Sequence, residues 1–328
     1  MATIGNRFVR EQLEVRRQQL HSAMHEPAAD PALSGLLREV DSALERMNQG
    51  TYGICETCHD TIEEDRLLAD PLIRFCLDHL TTEERRTLEN DLALASQLQR
   101  KLLPQPHVHS GGWEIHYHYQ PAGMVSGDYC DLILPENGKG ELVFLLGDVS
   151  GKGVAASMLM THLHAMFHSL AGVGMPLEKL IEMANRVFCE STLAGQYATL
   201  MCGRATTSGE VELTGAGHLP ALHIRKGGVT SVSGTGLPLG MFGNSRYASR
   251  TLQLKAGDTL VLYTDGLSEA RDGTGTEYGA RRLAEFFAEQ HGRPPRTLAA
   301  ACLEDLSRFS SGTRLTDDLT LMMIHRAA

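Results

Sequence analysis

Residues 142–153 read LVFLLGDVSGKG, and this stretch decides the fold. Five apolar residues run into Gly147, Asp148 and a glycine-rich turn, the pattern of a buried strand that ends in a carboxylate. The same form recurs in SGDYCD (126–131), LYTDGLSEA (262–270) and LTDDLTL (315–321). Taken singly, Asp-Gly marks a turn. Repeated on strand after strand, it sets carboxylates at one edge of a sheet, with glycines that permit close backbone approach. Carboxylates gathered without matching cations repel one another. Hard cations such as Mg²⁺ or Mn²⁺, which prefer oxygen ligands, relieve that repulsion. Two such ions about 3.5–4 Å apart form a recurring centre for phosphate-ester hydrolysis. A phosphate-loop reading fails, because GxxxxGK[ST] needs four residues between its glycines and a hydroxyl residue after Lys. Gly147 and Gly151 enclose only three, and Gly153 follows Lys152.

Working outward, the text after Pro106 alternates strand-like and helical segments. The strand-like runs are WEIHYHYQ, ELVFLLGDV, YATLMCGRATT, VELTGAG, ALHIRKG, TLQL, DTLVLYTD and DLTLMMIH. Helical periodicity covers about 153–171, 176–193, 277–290 and 295–309. Two strand groups with helices between and after them predict an α+β domain of layered sheets and helices over 106–328. His116 and His118 alternate with Ile115, Tyr117 and Tyr119, so they fall on the wetter face of a half-buried strand. His164 and His168 stand four apart on a helix, which is metal-ligand spacing. No third ligand of similar reach is evident, so they read as partly exposed helix positions.

Before Pro106 the chain is helical. Residues 6–26 and 32–49 form a predicted antiparallel hairpin broken by HEPAADP at 25–31, and GTYG at 50–53 ends the second helix. A third helix runs over 81–103 of a connector spanning 81–105, until Pro104 and Pro106 stop it, with Thr81 or Thr82 as cap and Glu84 in its first turn. Leu88, Leu92, Ala95, Leu98 and Leu102 mark one face. This connector either pairs two chains as a coiled coil or packs on its own domain.

Between hairpin and connector, CETC at 55–58 and CLDH at 76–79 place three thiols and one imidazole in two short knuckles. Cys55, Cys58, Cys76 and His79 meet the needs of one tetrahedral zinc ion. The bland alternative is a metal-free finger held by Tyr52, Ile62, Leu67 and Phe75. The other four cysteines are scattered singly and read as small buried apolar residues.

The 328 residues carry 30 Lys+Arg against 40 Asp+Glu, a net charge of −10, and are 42% hydrophobic. That length suggests two domains, and the apolar content suffices for a real core. The acidic balance argues against a binder of nucleic-acid phosphates. From Gly50 to Leu80 there are two basic and seven acidic residues, so direct DNA contact by the finger is not expected. No apolar run approaches the roughly 18 residues of a membrane span. MATIGNRFVREQLEV has no secretory apolar core. A cytoplasmic protein is expected.

Two family resemblances sharpen these readings. From Ala43 to Leu80, GTYGICETCHDTIEEDRLLADPLIRFCLDH resembles the zinc finger of the DksA/TraR family of RNA-polymerase regulators. His79 stands where that family usually has a fourth cysteine. The preceding hairpin is shorter than the family's coiled coil, and HEPAADP does not copy its acidic tip. RNA polymerase is therefore not the expected partner; an interaction, dimerisation or sensing module is.

From about Ser96 to His325 the chain resembles the PPM (PP2C-like) serine/threonine phosphatases of the SpoIIE/RsbU branch. The resemblance is carried by SQLQRKLLPQ, GDYCDL, FLLGDVSGKG, GAGHLPAL, GLPLGM, GDTLVLYTDGLSEARD and TDDLTLM. It implies an α/β/β/α sandwich with a two-metal site of Mn²⁺ or Mg²⁺ at one end. By motif, Asp128 would bind the second metal, Asp148 would bridge both, and the Val149 carbonyl would complete the second. Asp265 and Asp317 would bind the first, with Asp318 able to share that role and Asp131 in an outer or third-metal role. Ser126 replaces a glycine found in many members. Gln99 with Leu102, Leu103 and Pro104 matches a segment that would dock the connector or act as a lever from the N-terminal module. The implied chemistry is in-line attack of an activated water on a phosphoserine or phosphothreonine, with no cysteine nucleophile. The implied substrate is a STAS-type anti-sigma-factor antagonist in a bacterial partner-switching pathway. The rival reading is a non-catalytic scaffold whose finger docks on RNA polymerase. Intact carboxylates at all four motifs favour the enzyme.

Overall fold

In the computed structural model, residues 3–24, 32–63, 66–67, 70–79, 82–135, 140–172, 174–193, 195–234, 236–312 and 315–327 are described. The chain divides into two compact units, Met1–Asn90 and Asp91–Ala328.

In the first unit, α1 (Thr3–Met24) and α2 (Ala32–Gln49) form a hairpin over a small core of Val9, Leu13, Val40, Ala43 and Leu44. Gly50, at φ 73°, ends α2 by taking a conformation that costs other residues a Cβ clash. Arg46 is almost fully buried and donates to the carbonyls of Ile73 (3.2 Å) and Leu72 (3.4 Å). The Tyr52 hydroxyl donates to the Pro71 carbonyl at 3.0 Å. These bonds clamp the cysteine-bearing loop onto α2. The expected turn at 25–31 and the expected cap at Thr81 lie outside the described residues. Helix α3 (Thr82–Leu102) passes from the first unit into the second.

The second unit is built on the strand that the sequence marked first. The first strands are β1 (His107–Ser110), β2 (Trp113–Gln120), β3 (Tyr129–Ile133) and β4 (Leu142–Val149), followed by helices α4 (Gly153–Ala171) and α5 (Leu177–Ser191). Then come β5 (Ala198–Ala205), β6 (Glu210–Ala216), β7 (Ala221–Arg225), β8 (Gly228–Val232), β9 (Ser249–Gln253) and β10 (Thr259–Tyr263). Short α6 (Asp265–Ser268), α7 (Ala280–Phe287), α8 (Pro295–Ser310) and β11 (Leu319–Arg326) complete it. Two antiparallel sheets result, in the orders β1-β2-β11-β10-β7-β8 and β3-β4-β5-β6-β9.

The period-2 alternation of a strand explains the layering. Leu142, Phe144 and Leu146 of β4 enter the core between the sheets, with Trp113, Ile115, Leu262 and Met322 of the opposite sheet. Val143 and Leu145 point the other way, against Leu163 and Phe167 of α4 and Ile181 and Phe188 of α5. On the far side, Val261, Tyr263, Leu321 and Met323 pack on Leu283, Phe287, Leu298 and Cys302 of α7 and α8. The unit is the α+β, α/β/β/α sandwich that the motifs implied. Among the described residues, no helix is long and apolar enough to cross a membrane.

The expected helix 277–290 contracts to α7, because Gly279 turns at φ 81° and Glu277 is drawn into a bridge with Arg271. Of the scattered cysteines, Cys130, Cys202 and Cys302 are buried as expected and Cys189 is half-buried.

Candidate functional site

Asp148 lies near the end of β4, Asp265 opens α6 after β10, and Asp317 precedes β11. Antiparallel pairing of β10 with β11 brings the last two motifs side by side: the Thr264 amide donates to the Thr320 carbonyl at 3.0 Å. The carboxylates feel one another. Burial, then the charges of Asp265, Asp317 and Asp318, push the Asp148 pKa up to about 7. Burial and Asp317 likewise raise Asp265. The cation in contact is Lys152, whose Nζ donates to Asp317 Oδ2 at 2.8 Å and to the Thr316 carbonyl at 2.9 Å. Lys152 is exposed, and its sequence context gave only a failed phosphate loop.

Asp128 is buried below the cluster, and burial raises its pKa well above the carboxylate range, with Asp148 and Asp318 adding to the effect. The hydroxyls of Thr264 (3.0 Å) and Thr320 donate to its Oδ2. Sequence reasoning missed both threonines. The available signal was that each adjoins an acidic motif, Thr264 before Asp265 and Thr320 after TDDL. Gly127 packs so closely that a Cβ there would lie 3.2 Å from the Val149 carbonyl oxygen and 3.6 Å from Asp148 Oδ1. That close approach keeps the Asp128 loop against the Asp148 turn.

Asp317 and Asp318 separate in role. Asp318 accepts from the Ala122 amide at 2.7 Å and from the Gly127 amide at 2.8 Å, one on each oxygen. It ties down the loop that carries Asp128, while Asp317 faces Lys152 and Asp265. In Asp318→Asn the amide nitrogen must confront one of those N–H groups, donor against donor. Removing such an orienting partner costs about 10–100-fold in metal affinity or activity. We expect a loss of that size in Mn²⁺-dependent turnover; unchanged Mn²⁺ dependence would show that the loop does not need Asp318.

Asp131 does not join these groups. It is buried on the α4 side of β3, where its Oδ2 accepts from the Tyr129 hydroxyl and from His168 Nε2, both at 2.9 Å. Gln99 is buried and grips the backbone of Ser126 in both directions: its Nε2 donates to the carbonyl at 2.7 Å, and its Oε1 accepts from the amide at 3.0 Å. Leu103 packs on the intersheet core, and the Tyr117 hydroxyl donates to the Pro104 carbonyl at 2.6 Å. His116 and His118 are half-buried, but His118 also lines a cleft of about 640 Å³ beside Asp317, with Gln120, Glu269, Arg271 and Ser307.

The donor set suits hard cations. It offers carboxylate oxygens and a backbone carbonyl, without thiol or imidazole, and the carboxylates destabilise each other in their charged forms. A cage for a single ion, with its ligand atoms all within 4.8 Å of one another, is found elsewhere in the chain.

In the first unit, Cys55, Cys58, Cys76 and His79 form such a cage. The Cys58 and Cys76 sulfurs are 3.7 Å apart, close to the ~3.8 Å edge of a tetrahedron with 2.3 Å zinc–sulfur bonds. Cys76 Sγ lies 3.2 Å from His79 Nδ1. Each knuckle is closed by a backbone bond, His59 N to Cys55 O and His79 N to Cys76 O, both 3.0 Å. Burial acts to raise the Cys55 thiol, but amides of Cys58, Cys76 and Thr57 donating to its sulfur outweigh it and bring the pKa down to about 6. A thiolate is thus favoured where a soft ligand is needed.

The family described as Stage II sporulation protein E (SpoIIE) matches residues 138–327, more than half of the chain. The prokaryotic dksA/traR C4-type zinc finger matches residues 50–78. Protein IcfG of Synechocystis sp. is 26% identical over 265 residues, covering 72% of this chain but 41% of IcfG. Phosphoserine phosphatase RsbU of Bacillus subtilis is 23% identical over 245 residues, covering 74% of this chain and 72% of RsbU. The crystal structure of the RsbU and RsbW domains of Rv1364c from Mycobacterium tuberculosis superposes with a TM-score of 0.57 at 29% identity, over 69% of this chain and 63% of that one. The chain belongs to the SpoIIE family, and a zinc-finger segment of the DksA/TraR kind precedes the family's PP2C-type domain.

Proposed function

We propose that this protein is a metal-dependent phosphoprotein phosphatase that removes phosphate from serine or threonine. The observation that carries the reading is the gathering of Asp148, Asp265 and Asp317 at adjoining strand ends, where burial and then the neighbouring carboxylates leave Asp148 near neutrality and the exposed Lys152 pairs with Asp317. Asp148, Asp265, Asp317, Asp128 and the Val149 carbonyl would hold two Mn²⁺ or Mg²⁺ ions. Bound there, the ions would make a water nucleophilic near pH 7 and offset charge on the phosphate oxygens.

The chain's own groups position the reaction. Thr264 and Thr320 fix the Asp128 carboxylate, and Asp318 fixes the loop beneath it. Lys152 adds a positive charge at the rim. The adjoining cleft gives a substrate segment room beside Asp317, with Arg271, paired to Glu277 at 2.6 Å, on its wall. Cysteine chemistry has no place here, since the second unit's cysteines are buried or half-buried singly.

The finger would hold one structural zinc ion. Gln99 joins α3 to the backbone of Ser126, two residues before Asp128, and supports a lever from the N-terminal module. Leu88, Leu94 and Leu98 are exposed on α3, which supports pairing with a second copy. The Rv1364c chain combines RsbU and RsbW domains, and RsbU is a phosphoserine phosphatase by name. Both support a phosphorylated STAS-type antagonist as substrate in partner switching.

The test is turnover of a phosphoserine protein panel and of an aryl phosphate with and without Mn²⁺. We expect Mn²⁺-dependent phosphate release by the full chain, altered when residues 1–80 are deleted. A protein inert on every substrate under Mn²⁺ would favour the scaffold reading. Equal turnover after the deletion would remove the lever.

A further inference from the structure

The second unit contains another ligand group, formed by Asp131 of β3 with His164 and His168 of α4. The two histidines stand four apart, and their rings lie 4.2 Å centroid to centroid. The sequence offered no third partner because Asp131 is 33 positions before His164 and on a strand. Packing of α4 across β3 supplies it. Asp131 Oδ2 is 2.9 Å from His168 Nε2 and 3.1 Å from His164 Nδ1, and all three ligand atoms lie within 4.8 Å of one another.

Both histidines pair with the same carboxylate oxygen, which is crowded. Oδ2 already accepts from Tyr129 and His168, and Oδ1 accepts from the Leu132 amide at 2.8 Å. His164 Nδ1 is buried and 3.1 Å from the same Oδ2, but its N–H is not aligned to donate there. A buried polar atom without a partner is costly. Two imidazoles and a carboxylate converging on one point instead resemble the ligand set of a borderline divalent ion, for which ligand atoms stand ~3.3 Å apart around 2.0–2.1 Å bonds. Small outward movements from 2.9 and 3.1 Å produce that spacing. Tyr129 would orient the carboxylate as an outer partner. The His168 side chain is 45% exposed, which leaves an approach and a fourth position for water.

We propose that Asp131, His164 and His168 bind a zinc-type divalent ion at a site separate from both the aspartate cluster and the finger. His164 lies about 16 Å along α4 from its start at Gly153, by the rise of 1.5 Å per residue. The ligand chemistry also differs: imidazoles favour zinc, and the all-oxygen cluster favours Mg²⁺ or Mn²⁺. Because β3 is an edge strand, an ion here staples that edge to α4, the helix that follows the Asp148 turn.

The experiment is titration of the full chain with Zn²⁺, in millimolar Mg²⁺ to occupy the aspartate cluster, followed by Co²⁺ substitution. We expect two zinc ions per chain. The double variant His164→Gln, His168→Gln retains one, with the thiolate charge-transfer bands of the finger's Co²⁺ unchanged and the nitrogen–oxygen site's weaker bands lost. Cys76→Ser gives the opposite loss. Should the double variant misfold by circular dichroism, His168→Gln alone, at an exposed position, is expected to weaken the second zinc at least tenfold. One zinc per wild-type chain, or a second zinc indifferent to these substitutions, would overturn the assignment.

Discussion

Asp148→Asn is expected to abolish Mn²⁺-dependent turnover while making the metal-free protein more stable. In the proposed reading Asp148 would be shared by both ions, so its loss would remove several kcal/mol of transition-state stabilisation. At 1.36 kcal/mol per tenfold, that is a fall of at least ~10³ in kcat. The stability gain follows from linkage. Asp148 moves from 3.8 in the unfolded chain to about 7 in the fold, because burial and then Asp265, Asp317 and Asp318 disfavour its charge. The folded state therefore holds the proton more tightly. This contribution to stability is complete below pH ~4 and is lost as pH rises through ~7. Asparagine carries no such charge. We expect Asp148→Asn to raise the Tm in EDTA by a few degrees at pH 8 and by less at pH 5. Mn²⁺ should raise the wild-type Tm most at the higher pH and leave the variant nearly unmoved. A variant less stable than wild type at pH 8 would mean that the fold does not disfavour the Asp148 charge.

Cys76→Ser, or removal of zinc by a strong chelator, is expected to melt residues 51–79. The buried core of this segment is Cys55, Ile62 and Cys76, so two of its three members are metal-ligand candidates. Structural zinc contributes about 10–16 kcal/mol of apparent binding free energy in small fingers at pH 7. Among the described residues, only the partly buried Cys58, Leu67, Ile73 and Phe75 pack on that core, which is too little apolar burial to replace it. Loss of the fold also frees the Arg46 guanidinium from the Leu72 and Ile73 carbonyls. Hydrogen exchange is the readout: amides of 51–79 should lose protection, while β4, β5 and β11 keep theirs. Full protection of the finger in the chelated protein would show that Tyr52, Ile62, Leu67 and Phe75 suffice.

The layers and the acidic edge were legible because they rest on strong local signals. Apolar runs such as 142–146 and 319–324 form strands whatever their neighbours, and Asp before or after them marks an end. Weak strands were not legible. β1 is the four residues HVHS, β8 is the polar GVTSV, and β3 hides inside the SGDYCD motif; each becomes a strand through its partner's backbone. The site divided likewise. Aspartates with a motif could be named, but the hydroxyls of Thr264 and Thr320 reach Asp128 only after β10 and β11 pair. The contrast between Asp317 and Asp318 depends on where the 122–127 amides fall, and that is a tertiary fact. The resemblance gave Asp131 an outer or third-metal role, whereas its place on β3 sets it against His168 of α4.

Anomalous diffraction from crystals grown with Mn²⁺ tests the central claim most directly. Two manganese peaks about 3.5–4 Å apart, bounded by Asp148, Asp265 and Asp317, are the predicted result. Well-ordered aspartates with no manganese among them at saturating concentration would contradict it.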